Sequence, residues 1–428
     1  MAAQRALLGT LLVLATTIEA GDVHVVAPAI GAHEILLEEA AAAVTPNMST
    51  PLTRTVPPAQ PEGVRAFVYR NWTHLDPGIE EVMRKMGSMA AFVEFPHARD
   101  TFLNHLKGTY GMLMAWNQPV AVARAGLAHT AYSGDLFEFF VFDPTKDRDE
   151  FRDIVGAAAE ALIYEFGTVA RHEFVGLGAM MGDKSHARAV PLAGARGDAV
   201  KTRSRVEGEK TLTNAVVADL IVVSIADYLD QGVTTNGWRD HHQIDPLATR
   251  VFPGDVEPDV SLYWAAAACK AVRGYLEVIP PIFDDCTAVI RYEDEEAARD
   301  LYWRVVQDEA LSGQTAVVML EAAIALLPFV GETHILLAQI HFRAHRFAKA
   351  RDHAATALAR LYAFGGTWDK RLTYEAWIGF ARLLYVRSEA ALQPDFDGDT
   401  LPRAPGTHNV NDFGTRLVSI PDLISKMP

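Results

Sequence analysis

Two histidines 24 positions apart, His105 and His129, and one aspartate in a long apolar run, Asp227, are the residues whose types and settings suit chemistry best. Imidazole offers a neutral nitrogen to Zn, Fe or Mn, so a pair of them on neighbouring helices makes a metal site without a charge to neutralise. The chain has 15 histidines, enough for suggestive pairs to arise by chance, and a histidine in an apolar helix is also a common hydrogen-bonded structural residue. A lone buried carboxylate at Asp227 is costly unless it is paired or liganded. Asp230, three positions on, has solvent as its alternative surroundings.

The elements that must position these residues are helical. A helix beginning near His105, a turn at Asn117-Gln118-Pro119 and a second helix ending near His129 form a hairpin that brings the two imidazoles together. Leu212 to Leu229 is apolar on most faces and predicts a central buried helix. Ile79 to Met86, after Asp76-Pro77, and Asp149 to Phe166 repeat apolar residues at helical steps. Between Met181 and Lys210 seven Lys and Arg residues stand in a polar stretch, which predicts an exposed loop solvated by its charge. Five prolines between Thr45 and Glu62 predict an extended linker.

From about Glu293 to Leu392 the sequence repeats with a period of 34. Ala316, Leu320, Ala323 and Pro328 stand opposite Ala350, Ala354, Ala357 and Tyr362. These residues resemble tetratricopeptide repeats, in which small side chains let the second helix of each hairpin pack on its partner. The resemblance implies a helical array able to bind a protein partner; a plain helical bundle is the alternative. Beyond Gln393 the periodicity fades, and Asp395 to Asp399 reads as a solvated acidic turn because Gly406 stands where a calcium loop needs its closing Glu.

Composition bounds the rest. Of 428 residues, half are apolar and 22% charged, a globular mixture long enough for two or three units. Lys and Arg number 39 against 54 Asp and Glu, a net charge of −15, which disfavours general nucleic-acid binding. Two cysteines, Cys269 and Cys286, are too few for a disulfide framework or an all-thiolate metal site. No stretch reaches the ~18 apolar residues of a membrane span. Residues 1–20 read as a signal peptide, with an ordinary apolar helix or an organelle transit segment as alternatives. The chain is accordingly expected in the secretory pathway or an organelle if that segment is cleaved, and in the cytoplasm otherwise.

His105, His129 and the segment Ile225-Ala226-Asp227-Tyr228-Leu229-Asp230-Gln231 resemble the HD superfamily of helical metal-dependent phosphohydrolases, over roughly Phe67 to Gly232. The likeness is nearest to the hydrolase half of (p)ppGpp synthetase/hydrolase enzymes. It implies His105, His129 and Asp227 as ligands of a divalent metal, Mn, Fe or Zn. The sequence departs at Thr130, where the family has an Asp, and at Tyr132, Ser133 and Gly134, where the family has acidic residues. The altered pattern is similar to an uncharacterised domain-of-unknown-function group of HD-like proteins.

The expectation is an all-α chain: a signal peptide at 1–20, a linker at 21–62, an HD-like domain at 63–245, connecting helices at 246–292, repeats at 293–392 and a tail at 393–428. Its first functional reading is hydrolysis of a small phosphorylated molecule, with Asp135 or His97 as proton acceptor, Tyr132 in the site turn, and Arg99 or Lys107 neutralising phosphate. A non-catalytic binding or scaffold protein is the second reading. An HD-like iron oxygenase, needing further histidines such as His172, His241 or His242, is the third.

Overall fold

The computed structural model describes residues 56–93, 96–97, 100–134, 141–171, 199–231, 258–286, 290–308 and 311–393. The first helices are α1 (Glu62–Val68), α2 (Ile79–Gly87) and the short α3 (Ala90–Val93). A two-residue ladder, β1 (Pro96–His97) with β2 (Asp100–Thr101), leads into α4 (Phe102–Ala115). Then come α5 (Val120–Ala128), α6 (Arg148–Val155) and α7 (Ala157–Thr168). An antiparallel hairpin of β3 (Ala199–Ser204) and β4 (Gly208–Thr213) precedes α8 (Asn214–Gln231). Helices α9 (Leu262–Val272) and α10 (Pro281–Cys286) connect to α11 (Tyr292–Gln307), α12 (Gly313–Leu326), α13 (Gly331–Arg343), α14 (Phe347–Phe364) and α15 (Tyr374–Ala391). The class is all-α, and no described helix is long and apolar enough to cross a membrane.

Helix α4 starts where Thr101 accepts the Asn104 backbone N–H, a side-chain cap on an otherwise unpaired amide. It ends at Ala115, Asn117 with a φ of 56° turns the chain, and Pro119 then caps the start of α5. The hairpin predicted by the spacing of His105 and His129 is therefore present, with His129 as the residue that closes α5. Helix α8 packs against both α4 and α5, so the three chemistry-bearing segments meet in one layer.

Two elements differ from expectation. The helix predicted over Asp149 to Phe166 is broken at Gly156, whose φ of 93° suits glycine and splits it into α6 and α7. Arg124 exploits the break, donating to the freed Val155 carbonyl at 2.9 Å while pairing with Asp76. Residues 199–210, expected in an exposed loop, lie in the β3–β4 hairpin. Thr202 and Ser204 turn inward at alternate positions, and the Ala170 amide donates to the Arg203 carbonyl at 2.8 Å, tying the hairpin to the end of α7.

Helices α11 to α15 pack each on the next. The small residues of the 34-residue period, Ala316, Ala323, Ala350, Ala354 and Ala357, are all buried, which allows close helix approach. Tyr362, opposite Pro328, is buried inside α14, and the helix runs on to Phe364. The array is joined to the histidine-bearing layer by Trp116, whose indole N–H donates to the Phe364 carbonyl at 2.8 Å. The described residues from Val56 on belong to one compact unit. The expected signal peptide, most of the linker and the acidic turn at 395–399 lie outside the described residues.

Candidate metal centre

His105 sits one turn into α4, His129 at the end of α5 and Asp227 in the last turn of α8. One ligand atom from each lies within 4.8 Å of the others. His105 Nε2 is 3.2 Å and His129 Nε2 3.4 Å from the same Asp227 Oδ1. The two rings stand edge to face, 5.5 Å apart at 87°. Both histidines are buried.

The other nitrogen of each ring is anchored. His129 Nδ1 meets the Gly126 carbonyl at 2.8 Å, and since a carbonyl only accepts, Nδ1 carries the proton. In the neutral ring Nε2 is then a lone pair aimed at a carboxylate oxygen, an arrangement that repels unless a cation lies between. A proton on Nε2 or a shared metal ion meets that need. His105 Nδ1 donates to Asp230 Oδ2 at 2.8 Å, which likewise directs Nε2 toward Asp227. Carboxylate or carbonyl anchoring of the distal nitrogen is the usual support of a metal-ligating imidazole. With the proton of each Nε2 displaced, the donor set of two imidazole nitrogens and one carboxylate fits a divalent Mn, Fe or Zn ion.

The charges are strongly coupled. Burial opposes protonation of His105, but the hydrogen bonds and charges of Asp227 and Asp230 overcome it and raise its pKa to about 9. Burial likewise opposes the charge on Asp227, yet the two imidazoles hold it well below the ordinary carboxylate range. Gln231 adds a third nitrogen: its amide donates to Asp227 Oδ1 and lies 3.3 Å from His105 Nε2.

Asp230, whose alternative was solvent, is the partner of His105, and Gln231 had no role assigned from sequence. Their signal was their spacing, three and four positions after Asp227, which puts all three on one helix face. Gly108 had a signal of the same kind. It stands three residues after His105, and a Cβ there would lie 2.1 Å from Asp230 Oδ1, so only glycine leaves room for the Asp230 carboxylate.

Thr130, in place of the carboxylate that the resemblance implies, is buried, and its hydroxyl has no hydrogen-bond partner among the described residues. Tyr132 is fully buried, and its hydroxyl donates to Glu160 Oε1 at 2.9 Å, while Glu160 is held by Arg148 at 2.8 Å. That holds the hydroxyl of Tyr132, expected in the site turn, in a buried network with Glu160 and Arg148. Lys107 lines a cavity that His105 also lines. Arg99, Asp135, His172, His241 and His242 lie outside the described residues, and of His97 only the backbone, in β1, is described.

Residues 86–171 match a family described as a domain of unknown function (DUF6817). The matched segment carries His105, His129, Thr130 and Tyr132 and ends before Asp227, so the third candidate ligand comes from outside it. No curated protein and no solved structure matches the chain significantly.

Proposed function

We propose that the chain is a metal-dependent hydrolase of a small phosphorylated molecule, built on a degenerate HD-like site. The observation that carries this reading is the convergence of His105, His129 and Asp227 within 4.8 Å, with both distal ring nitrogens anchored. A bound divalent ion would supply Lewis acidity and lower the pKa of a coordinated water. The chain's own residues do the rest. His105 and His129 present Nε2, Asp227 contributes the charge, and Asp230 fixes the tautomer of His105. Gln231 donates to Asp227, and Lys107 offers an ammonium to an anionic substrate. In this reading Asp135 or His97 takes the proton from the attacking water, and the array of α11 to α15, tetratricopeptide-like in its spacing, offers a surface for a protein partner.

Two observations favour a non-catalytic reading. Thr130 leaves the site one carboxylate short of the family pattern, and protonated His105 between Asp227 and Asp230 forms a cluster that satisfies itself without an ion. Elemental analysis of the purified full chain separates the two. The hydrolase reading expects about one equivalent of Mn, Fe or Zn, lost in folded His105→Ala and Asp227→Ala, together with phosphatase turnover. A folded protein that takes up no metal overturns it.

A further inference from the structure

A cavity of about 710 Å³ opens beside the candidate metal centre. Its walls come from distant parts of the chain. Its lining includes Asn104, His105 and Lys107 of α4, Asp230 and Gln231 of α8, and residues 366–367 and 370–375, from the α14–α15 connection and the start of α15. The size suits a small molecule. Part of the cavity lining, its floor, is aromatic: Phe67 and Tyr374 lie with ring centroids 5.1 Å apart, Trp72 packs on Phe67 at 6.1 Å, and the Arg70 guanidinium stands 5.0 Å from the Phe67 ring.

The cavity's charge is opposite to that of the molecule. Arg70, Lys107, Lys370 and Arg371 line it against Asp230 and Glu375, in a chain of net charge −15. Their commitments differ. Arg371 donates from Nη2 and Nε to Asp369 Oδ2 at 2.6 and 2.8 Å, and Lys370 donates to the Leu229 carbonyl at 2.6 Å, tying the array's segment to α8. Lys107 makes no ion pair with any described residue. Arg70 is held at a φ of 53°, a left-handed conformation costly for a side chain, with its guanidinium 2.5 Å from Glu375.

We infer that this cavity is a binding site for a small aromatic anion, with the C-terminal array supplying half of it: Lys107 and Arg70 take the anionic group, and the ring lies on the floor of Phe67, Trp72 and Tyr374. Glu375 then acts as a built-in competitor, a carboxylate that holds Arg70 until the ligand's anion replaces it. The inference deepens the hydrolase reading and rests on it for the ligand's fate, but binding is measurable apart from any metal.

Calorimetric titration of phenyl phosphate, benzoate and inorganic phosphate into the full chain, after chelation, tests it. Phenyl phosphate or benzoate is expected to bind, their relative affinity telling a phosphate from a carboxylate ligand, and inorganic phosphate is expected to bind more weakly than the tighter of the two. Lys107→Ala should weaken binding tenfold or more. Glu375→Gln should tighten it severalfold by releasing Arg70, a direction that a merely destabilised protein does not produce.

The inference is overturned if neither aromatic anion binds at millimolar concentration, if inorganic phosphate binds as tightly as the tighter of the two aromatic anions, or if folded Glu375→Gln binds equally or more weakly. It also fails if Lys107→Ala leaves affinity unchanged. Metal content measured on the same proteins before chelation keeps the two readings apart. Anion binding by a chain that never takes up metal sinks the hydrolase and spares the cavity, whereas metal uptake without anion binding does the reverse.

Discussion

His105 is gripped at both ring nitrogens, by Asp230 on one side and Asp227 on the other, and this grip makes the two carboxylates unequal. Asp227 Oδ1 is the oxygen on which the nitrogens converge, so under the proposed metal-dependent function Asp227→Ala should abolish metal uptake. Asp230→Asn keeps the shape and loses only charge and tautomer control, so it should weaken metal affinity by about 10- to 100-fold without abolishing it. Competition against a chelator of known affinity reads the difference; equal losses in the two variants would refute the division of roles. Gly108→Ala tests the same grip from the opposite helix. Its methyl would meet the Asp230 carboxylate, so the variant should reproduce the affinity loss of Asp230→Asn and give up roughly 1 to 3 kcal/mol of stability in urea unfolding. Tyr132→Phe should behave otherwise. With its hydroxyl given to Glu160, the substitution should cost about 1 kcal/mol and leave metal content unchanged.

Among the elements, α13 and α14 carry a second group of imidazoles whose role is packing. His334 and His353 meet Nδ1 to Nδ1 at 3.1 Å, and the His353 ring stacks on His341 at 5.4 Å. Both nitrogens of His341 are buried without a partner among the described residues. Burial, reinforced by neighbouring cations and imidazoles, pushes the pKa of His334 down to about 3 and of His341 to about 4. Both lie below the ordinary histidine value of 6.5, so the folded array resists protonation that the unfolded chain accepts. The stability they contribute is fully present above pH 6.5 and is lost as pH falls toward 4 and then 3. His341→Leu keeps the volume and removes the titration. Its unfolding free energy should fall less than that of wild type between pH 6.5 and 4, by roughly 1 to 3 kcal/mol, measured by urea unfolding followed by circular dichroism across that range. Parallel acid profiles in the two proteins would rule this out.

For the molecule as a whole, the question is whether the array and the histidine-bearing layer act together. Trp116 joins them: fully buried, it donates to the Phe364 carbonyl and packs edge-on to Phe283 at 5.9 Å. Gly365, at a φ of 71°, ends α14 so closely against this indole that a Cβ would lie 2.9 Å from its nitrogen. The Lys370 bond to Leu229 is a second tie, this one beside the cavity. Trp116→Ala should therefore cost about 3 to 5 kcal/mol, far more than a surface substitution. In wild type, chemical unfolding followed by helix content and by near-ultraviolet circular dichroism should move as one transition. A separate early step confined to one signal would show that the two parts unfold independently.

The sequence by itself determined the helical class, the hairpin that brings His105 toward His129, and the inward position of the alanines at the 34-residue period. Each of these follows from patterns legible along the chain: hydrophobic periodicity, a turn with its proline, and the recurrence of small residues at one spacing. Asp227 stood out because a carboxylate in an apolar helix needs a partner, although nothing local said which. The break at Gly156 and the β3–β4 hairpin escaped the periodic reading, because a glycine in the left-handed region and an alternation of small polar residues leave little trace in hydrophobic patterning. Tertiary structure alone decided that Asp230 turns to His105 rather than to solvent. It also decided that Gly108 clears space for that carboxylate and that Glu375 and Lys370 line the same cavity as Lys107. Those pairings span well over 100 positions, and which face of a helix is wet is fixed only by the helix that packs against it.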